Sequence, residues 1–137
     1  AAVHLGRLMR ENVSDGTEWE KRVGYSRAVR VGDRISVSGT TATDEANEVV
    51  GVGEPYRQTE RALENVVRAI EEAGGTVEDI VRTRMFVTDI EHWEEIGDAH
   101  EAFFGETRPA TSMVQVDRLI DPAMLVEIEA EAIVQQG

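Results

Sequence analysis

At 137 residues the chain is long enough for one domain with a substantial core, and it contains no cysteine. Disulfides, thiolate nucleophiles and cysteine metal sites are therefore excluded. The 27 acidic residues against 14 basic ones give a net charge of −13, which opposes a nucleic-acid-binding surface because such surfaces need a basic patch to displace counterions.

Of the 14 cations only Lys21 is a lysine; the rest are arginine. An acidic, lysine-poor surface suits a protein kept soluble in concentrated salt. A source genome rich in G and C also favours Arg over Lys, so both explanations stand. No stretch approaches the roughly 20 apolar residues of a membrane span. Ala1 to Arg7 lacks a basic region followed by an apolar core, so no secretion signal is expected and the cytoplasm is the expected compartment.

No repeat, low-complexity tract or linker interrupts the chain, and residues 1–137 read as a single domain. A short strand is expected around His4–Arg10, then a polar loop. Two β-like runs follow, Arg27–Val31 and Ile35–Ser38, and Gly32-Asp33 between them suits a hairpin turn. Residues 43–53 read as a loop with a short strand at Glu48–Val50. Pro55 then opens an amphipathic helix of about five turns, with Leu63, Val66, Val67, Ile70 and Ala73 on one face and Gly74-Gly75 closing it. Val81–Thr88 is a strand. Thr88-Asp89-Ile90-Glu91 resembles a capping box opening a second helix. Trp93, Ile96, His100 and Phe103 share its apolar face, and Gly105 ends it.

The last two expected strands are Thr111–Val116 and Leu125–Val134. In the second, Val126, Ile128, Ala130, Ala132 and Val134 alternate with Glu127, Glu129 and Glu131. Carboxylates in a row on one strand face repel one another, so that face needs water or cations. The order β-β-β-α-β-α-β-β with two one-sided helices predicts an α+β fold, the helices packed on one face of a mixed sheet.

On Val81–Thr88, the residues Val81, Thr83, Met85 and Val87 suit the helix-covered face, and Arg82, Arg84 and Phe86 the other, beside the glutamates. His100 on an apolar helix face reads as a core histidine. The three histidines lack metal-ligand spacing, so no metal is expected. Gly51 and Gly53 form neither a P-loop nor a Gly-x-Gly-x-x-Gly, so nucleotide binding has no support.

Pro109-Ala110-Thr111-Ser112, a short apolar strand, and Val126-Glu127-Ile128-Glu129 together resemble the signature of the YjgF/RidA family, the reactive intermediate deaminases. That signature reads Pro-Ala-Arg-Ser followed by apolar-Glu-Ile-Glu. Gly24-Tyr25, Ser38-Gly39, Ala73-Gly74-Gly75 through Val81, Phe86-Val87 and Phe103-Phe104 match further family elements in the same order. The resemblance covers nearly the whole chain.

It implies a chorismate-mutase-like fold with a six-stranded mixed sheet, assembled as a homotrimer around a central barrel. It also implies hydrolysis of small enamines and imines such as 2-aminoacrylate, in pockets between subunits, with no metal or organic cofactor. Glu127 takes the water-orienting position, and Tyr25, Ser38 and Gly39 the pocket wall. Thr111 stands where the family places a carboxylate-binding arginine, losing a charge-assisted pair of roughly 1.5–3 kcal/mol per bond. Met113 replaces a smaller residue, Gly97 a pocket asparagine, and the loop from Phe104 to Pro109 is short. These departures match the subgroups without the arginine and point to a substrate other than simple 2-aminoacrylate, aminomuconate-type compounds being one class. Arg84 is either a relocated anion binder or the partner of Glu129 or Glu131. The rival to a hydrolase is a non-catalytic trimer that senses a small metabolite in the same cleft. A third reading is a chaperone-like surface role. Some family members have been described as ribonucleases, which the net charge opposes here.

Overall fold

The structure is a computed structural model and describes residues 9–135. Six strands form one mixed sheet: β1 (Arg10–Val13), β2 (Ala28–Val31), β3 (Arg34–Thr40), β4 (Ile80–Val87), β5 (Ala110–Gln115) and β6 (Val126–Ile133). Their spatial order is β1-β2-β3-β6-β4-β5. Only β4 and β5 run parallel; the remaining pairs are antiparallel. The chain has three α-helices in this region: α1 (Glu18–Val23), α2 (Pro55–Glu72) and α3 (Trp93–Phe104). The expected α+β class and the six-stranded mixed sheet are both present.

The last strand is the centre of the sheet. Its apolar set, Val126, Ile128, Ala130 and Ala132, is almost fully buried beneath α2. Ala62, Leu63, Val66, Ala69 and Ile70 of α2 cover it, so period-2 and period-3.6 stripes meet in one core. Helix α2 ends where Gly74 turns at φ 92°, a conformation that costs glycine little. Two polar residues inside the α2 stripe are also buried. Gln58 Nε2 donates to the Ala123 carbonyl at 2.7 Å and its Oε1 accepts from Leu125 N–H at 2.8 Å. This pair ties the loop before β6 to the helix. The Gly32-Asp33 hairpin forms as expected, with Gly32 at φ 62°.

Several expectations shift. The strand expected at His4–Arg10 lies outside the described residues apart from its last two positions, and β1 begins at Arg10. A six-residue helix, α1, occupies part of the expected loop and closes on Gly24 at φ 88°. Residues 43–53 make a single bridge, Thr43 to Val49. Between Ile80 and Arg82 the pairing of β4 with β6 slips, so Ile80 enters the core and Val81 is 41% exposed. A bulge of this kind moves one residue off its expected face.

The second helix starts later than the Thr88–Glu91 pattern suggests. Asp89 Oδ1 accepts from Glu91 N–H and caps a short 3₁₀ turn, Ile90–His92, before α3 begins. Trp93 therefore lies on the first turn, 56% exposed, and Phe104 rather than Phe103 is fully buried. A reciprocal capping box does occur elsewhere, between Thr76 and Asp79.

Helices α2 and α3 lie on one face of the sheet. The other face is open in the single chain and carries Glu127, Glu129, Glu131, Arg82, Arg84, Phe86 and Ser36.

Candidate functional site

The register of β6 against β4 sets the open face. Glu127 lies opposite Phe86, Glu129 opposite Arg84 and Glu131 opposite Arg82. Arg84 Nη1 is 3.1 Å from Glu131 Oε2 and 3.9 Å from Glu129 Oε1. Arg34 approaches Glu131 from β3 at 3.8 Å. Arg84 is thus engaged by two carboxylates, the arrangement expected of a partner to the glutamate row. Glu127 differs from the other two: among the described residues no cation lies within ion-pair distance of it.

Glu127 is half-buried, and burial pushes its carboxyl above the usual carboxylate range, with the Glu129 charge adding to the rise. The Arg27 guanidinium acts the other way. A carboxyl held this way keeps its proton more tightly than an ordinary surface carboxylate does.

Its seat is a bulge in β3, where pairing with β6 slips between Val37 and Thr40. Gly39 lies directly against the carboxyl: a Cβ at this position would stand 2.7 Å from Glu127 Oε2. Glycine is used here for closeness. Ser38 Oγ donates to the Ser26 carbonyl at 2.6 Å, which fixes the turn that carries Tyr25 and Arg27.

Arg27 is the residue that reading the sequence missed. Its side chain is 16% exposed. Nη2 donates to the Gly39 carbonyl at 2.6 Å, and Nη1 lies 3.7 Å from Asp15 Oδ2. The guanidinium stands 5.8 Å from the Tyr25 ring centre, within cation–π range. Its Nε has no hydrogen-bond partner among the described residues. The available signal was its place two residues after Tyr25, opposite the Ser38-Gly39 pair. The structure therefore brings Tyr25, Arg27, Ser38, Gly39 and Glu127 together around one bulge.

Thr111 and Met113 are elsewhere. They pair with Thr83 and Met85 of β4, both buried on the helix-covered face. Side chains of paired residues share a face, so Thr111 and Met113 sit on the helix side of the edge strand β5. Glu127 sits on the opposite face, two strand spacings (about 9.5 Å) across the sheet and three residues along it. One chain alone does not unite these residues. A cavity of about 370 Å³ lies near the β3 bulge, lined by Arg27, Thr40, Asn65 and Arg68 among others, and Glu127 is not in its wall.

Among the described residues no cluster of His, Asp and Glu could hold a metal ion. No helix there is long and apolar enough to cross a membrane.

A six-stranded sheet of this order with two helices on one side is an architecture shared with solved structures. Residues 16–134 match the family model described as Endoribonuclease L-PSP. A "RutC family protein" of Pyrococcus abyssi is 33% identical over 79% of this chain and 84% of its own length. An uncharacterized Streptomyces coelicolor protein is 39% identical over 88% of this chain and 89% of its own. Among solved structures, Rv2704 of Mycobacterium tuberculosis, described as a member of the highly conserved YjgF/YER057c/UK114 family, is 48% identical with a TM-score of 0.84, covering 92% of this chain and all of that one. The YjgF gene product of E. coli is 33% identical with a TM-score of 0.78, covering 90% of this chain and 94% of that one. The chain belongs to the YjgF/UK114 family, the family of the L-PSP model.

Proposed function

We propose that the chain is a cofactor-free hydrolase of small reactive enamines and imines, acting in the cytoplasm as a homotrimer of the chorismate-mutase-like type. The observation that carries this reading is Glu127: half-buried, without a cation partner among the described residues, and held above the usual carboxylate range.

The chemistry asks little more. An enamine protonated at carbon becomes an iminium, which is already electrophilic. Water adds to its carbon, the nitrogen takes a proton, and ammonia leaves to give the carbonyl product. Glu127 as carboxylate accepts the proton of the attacking water; as acid it returns one to the leaving nitrogen. Tyr25 and Ser38 form the wall beside it, and Gly39 leaves room for the carboxyl.

The opposed placement of Thr111 and Glu127 supports a site shared between copies. The open face, with its glutamates and arginines, would line the central barrel. The exposed edge strand β5 of one copy would bring Thr111 and Met113 to the Glu127 face of the next. Arg84, already held by Glu129 and Glu131, serves assembly better than ligand capture. The anion requirement then falls to neutral Thr111 and to Arg27, which suits a substrate less anionic or larger than 2-aminoacrylate, such as an aminomuconate-type compound. The net charge of −13 supports neither an RNA substrate nor ribonuclease action.

A second reading, a metabolite sensor in the same cleft, is favoured by one observation, the neutral threonine at 111. One experiment separates the two. 2-Aminoacrylate generated in situ by a dehydratase is followed with wild type and Glu127→Ala in the same salt. Faster loss with wild type only supports the hydrolase. Equal rates in both and in buffer remove it for this substrate and move the search to other imines and to ligand affinity.

A further inference from the structure

Behind Thr111 runs a chain of three polar side chains that hydrolysis by Glu127 does not use. Thr111 Oγ1 lies 2.6 Å from Thr83 Oγ1, and Thr83 Oγ1 lies 2.9 Å from His100 Nε2. Thr83 is fully buried in β4, at 0% exposure, between the edge strand and α3. The His100 ring packs against Phe104, with centroids 4.6 Å apart, so the imidazole is held rather than free to swing. The chain therefore leads from the surface of β5 to a fixed imidazole inside the fold.

A hydroxyl has one proton and two lone pairs, and Thr83 Oγ1 has no other hydrogen-bond partner among the described residues, so its proton is satisfied in only two arrangements. Inward, Thr111 donates to Thr83, Thr83 donates to a bare His100 Nε2, and Thr111 shows the pocket only lone pairs. Outward, His100 Nε2–H donates to Thr83, Thr83 donates to Thr111, and the Thr111 proton is left for a ligand. The tautomer of one histidine decides between them. Burial holds His100 below its ordinary pKa, so the neutral ring has to make this choice.

We propose that His100 and Thr83 are positioning residues that run the chain outward, making Thr111 a hydrogen-bond donor to a carbonyl or carboxylate oxygen of the ligand. The ligand's part in this rests on the site proposed above; the direction rests on His100 Nδ1, which has no hydrogen-bond acceptor among the described residues and so leaves the ring proton to Nε2, which faces Thr83. A neutral donor, ordered from behind, would take over in part the task of a cation at this strand position. Hydrogen bonds in such a series polarise one another, which strengthens the last donor.

The test has two arms on the full chain. In the first, nitrogen NMR of the histidine rings, with His100 assigned by its loss in His100→Gln, reports which ring nitrogen carries the proton. Protonated Nε2 in wild type, shifting to a mixed population in Thr83→Val and restored in Thr83→Ser, is the expected result. A bare Nε2 in wild type overturns the proposal, as does a tautomer indifferent to Thr83→Val. In the second arm, pyruvate, a 2-oxo acid, is the probe. Thr83→Val and His100→Phe should each weaken its binding about 3- to 10-fold, while Thr83→Ser and His100→Gln, which keep a donor, bind as wild type. Thr83→Val should cost nothing further once Thr111→Val is present, because the two act through one hydroxyl. Additive losses would mean that Thr83 merely packs, and would sink the ligand half. Protonated Nε2 with no turnover of any enamine would leave the relay standing and remove the hydrolase reading.

Discussion

Two regions of one sheet handle polar groups in opposite ways. At the β3 bulge Glu127 is half-buried, has no close cation among the described residues and is pressed against Gly39. At the far edge, Thr111 is exposed yet tied by a 2.6 Å hydrogen bond to a buried threonine and through it to His100. The first region holds a group in an unfavourable state, as reactive groups require. The second ties an exposed hydroxyl to a buried one and so orders a mild group. On the proposed function, reactivity and recognition would be built at separate places on opposite faces, and an assembly of copies is what would join them.

The largest way to break that division is Glu127→Ala. Loss of a general acid–base group should lower turnover about 10²- to 10⁴-fold, with the folding midpoint little changed. Steady-state rates beside thermal melts check this. Unchanged turnover would remove Glu127 from the chemistry. Thr111→Arg sharpens the comparison from the other side. Restoring a charged donor should strengthen capture of a small carboxylate by roughly one to two decades, read as kcat/KM for 2-aminoacrylate. No gain would mean that position 111 does not meet the substrate's carboxylate.

Gly39→Ala comes next. The new methyl would overlap the flexible end of Glu127, so the side chain can move away at small cost to folding. Activity should fall about tenfold while stability stays near wild type, because a displaced carboxyl is a poor base. Equal loss of both would mean that Gly39 serves backbone conformation instead. Arg84→Met tests the paired glutamates. In the single chain these half-exposed pairs contribute less than about 1 kcal/mol each. If the face is buried between copies, Glu129 and Glu131 lose their shared cation in a dry barrel, and sedimentation should show dissociation. An intact assembly with lost ligand binding would return Arg84 to the site.

Much of this layout is legible in the residues, and the failures have physical causes. The alternation of β6 and the stripe of α2 are strong periodic signals, and both elements lie where expected to within a residue or two. Val81 was misplaced because a bulge is a pairing event between two strands, invisible in either alone. Trp93 was misplaced because Asp89, not Thr88, caps the turn ahead of α3. The glutamate row and Arg84 were readable from alternation on two strands. The opposed faces of Thr111 and Glu127 were not, since they depend on which residues of β4 each neighbour pairs with. Arg27 was missed because its role comes from tertiary approach to the Gly39 carbonyl. His100 was read as a core residue, and it does pack on Phe104; its bond to Thr83 needed the register of β4 under α3.

The smallest effect is also the most direct probe of the half-buried carboxyl at the bulge. Burial first, then the Glu129 charge, raises the Glu127 pKa above 4.5, so the folded protein holds that proton more tightly than the unfolded chain does. Below the unfolded value both states are protonated and Glu127 costs nothing. As pH rises through the folded value, ionisation subtracts stability. Glu127→Gln removes the ionisation and keeps the shape. It should match wild type in acid and be more stable at neutral pH, by a modest margin because the half-exposed carboxyl keeps part of its hydration. The Arg84–Glu131 pair is common to both proteins and cancels in the difference, whereas the repulsion from Glu129 is part of what the variant removes. Denaturant midpoints taken from pH 4 to 8 read it out. A variant less stable than wild type at neutral pH would mean that Arg27 more than offsets burial, and that Glu127 is a satisfied structural carboxylate like its two neighbours on the strand.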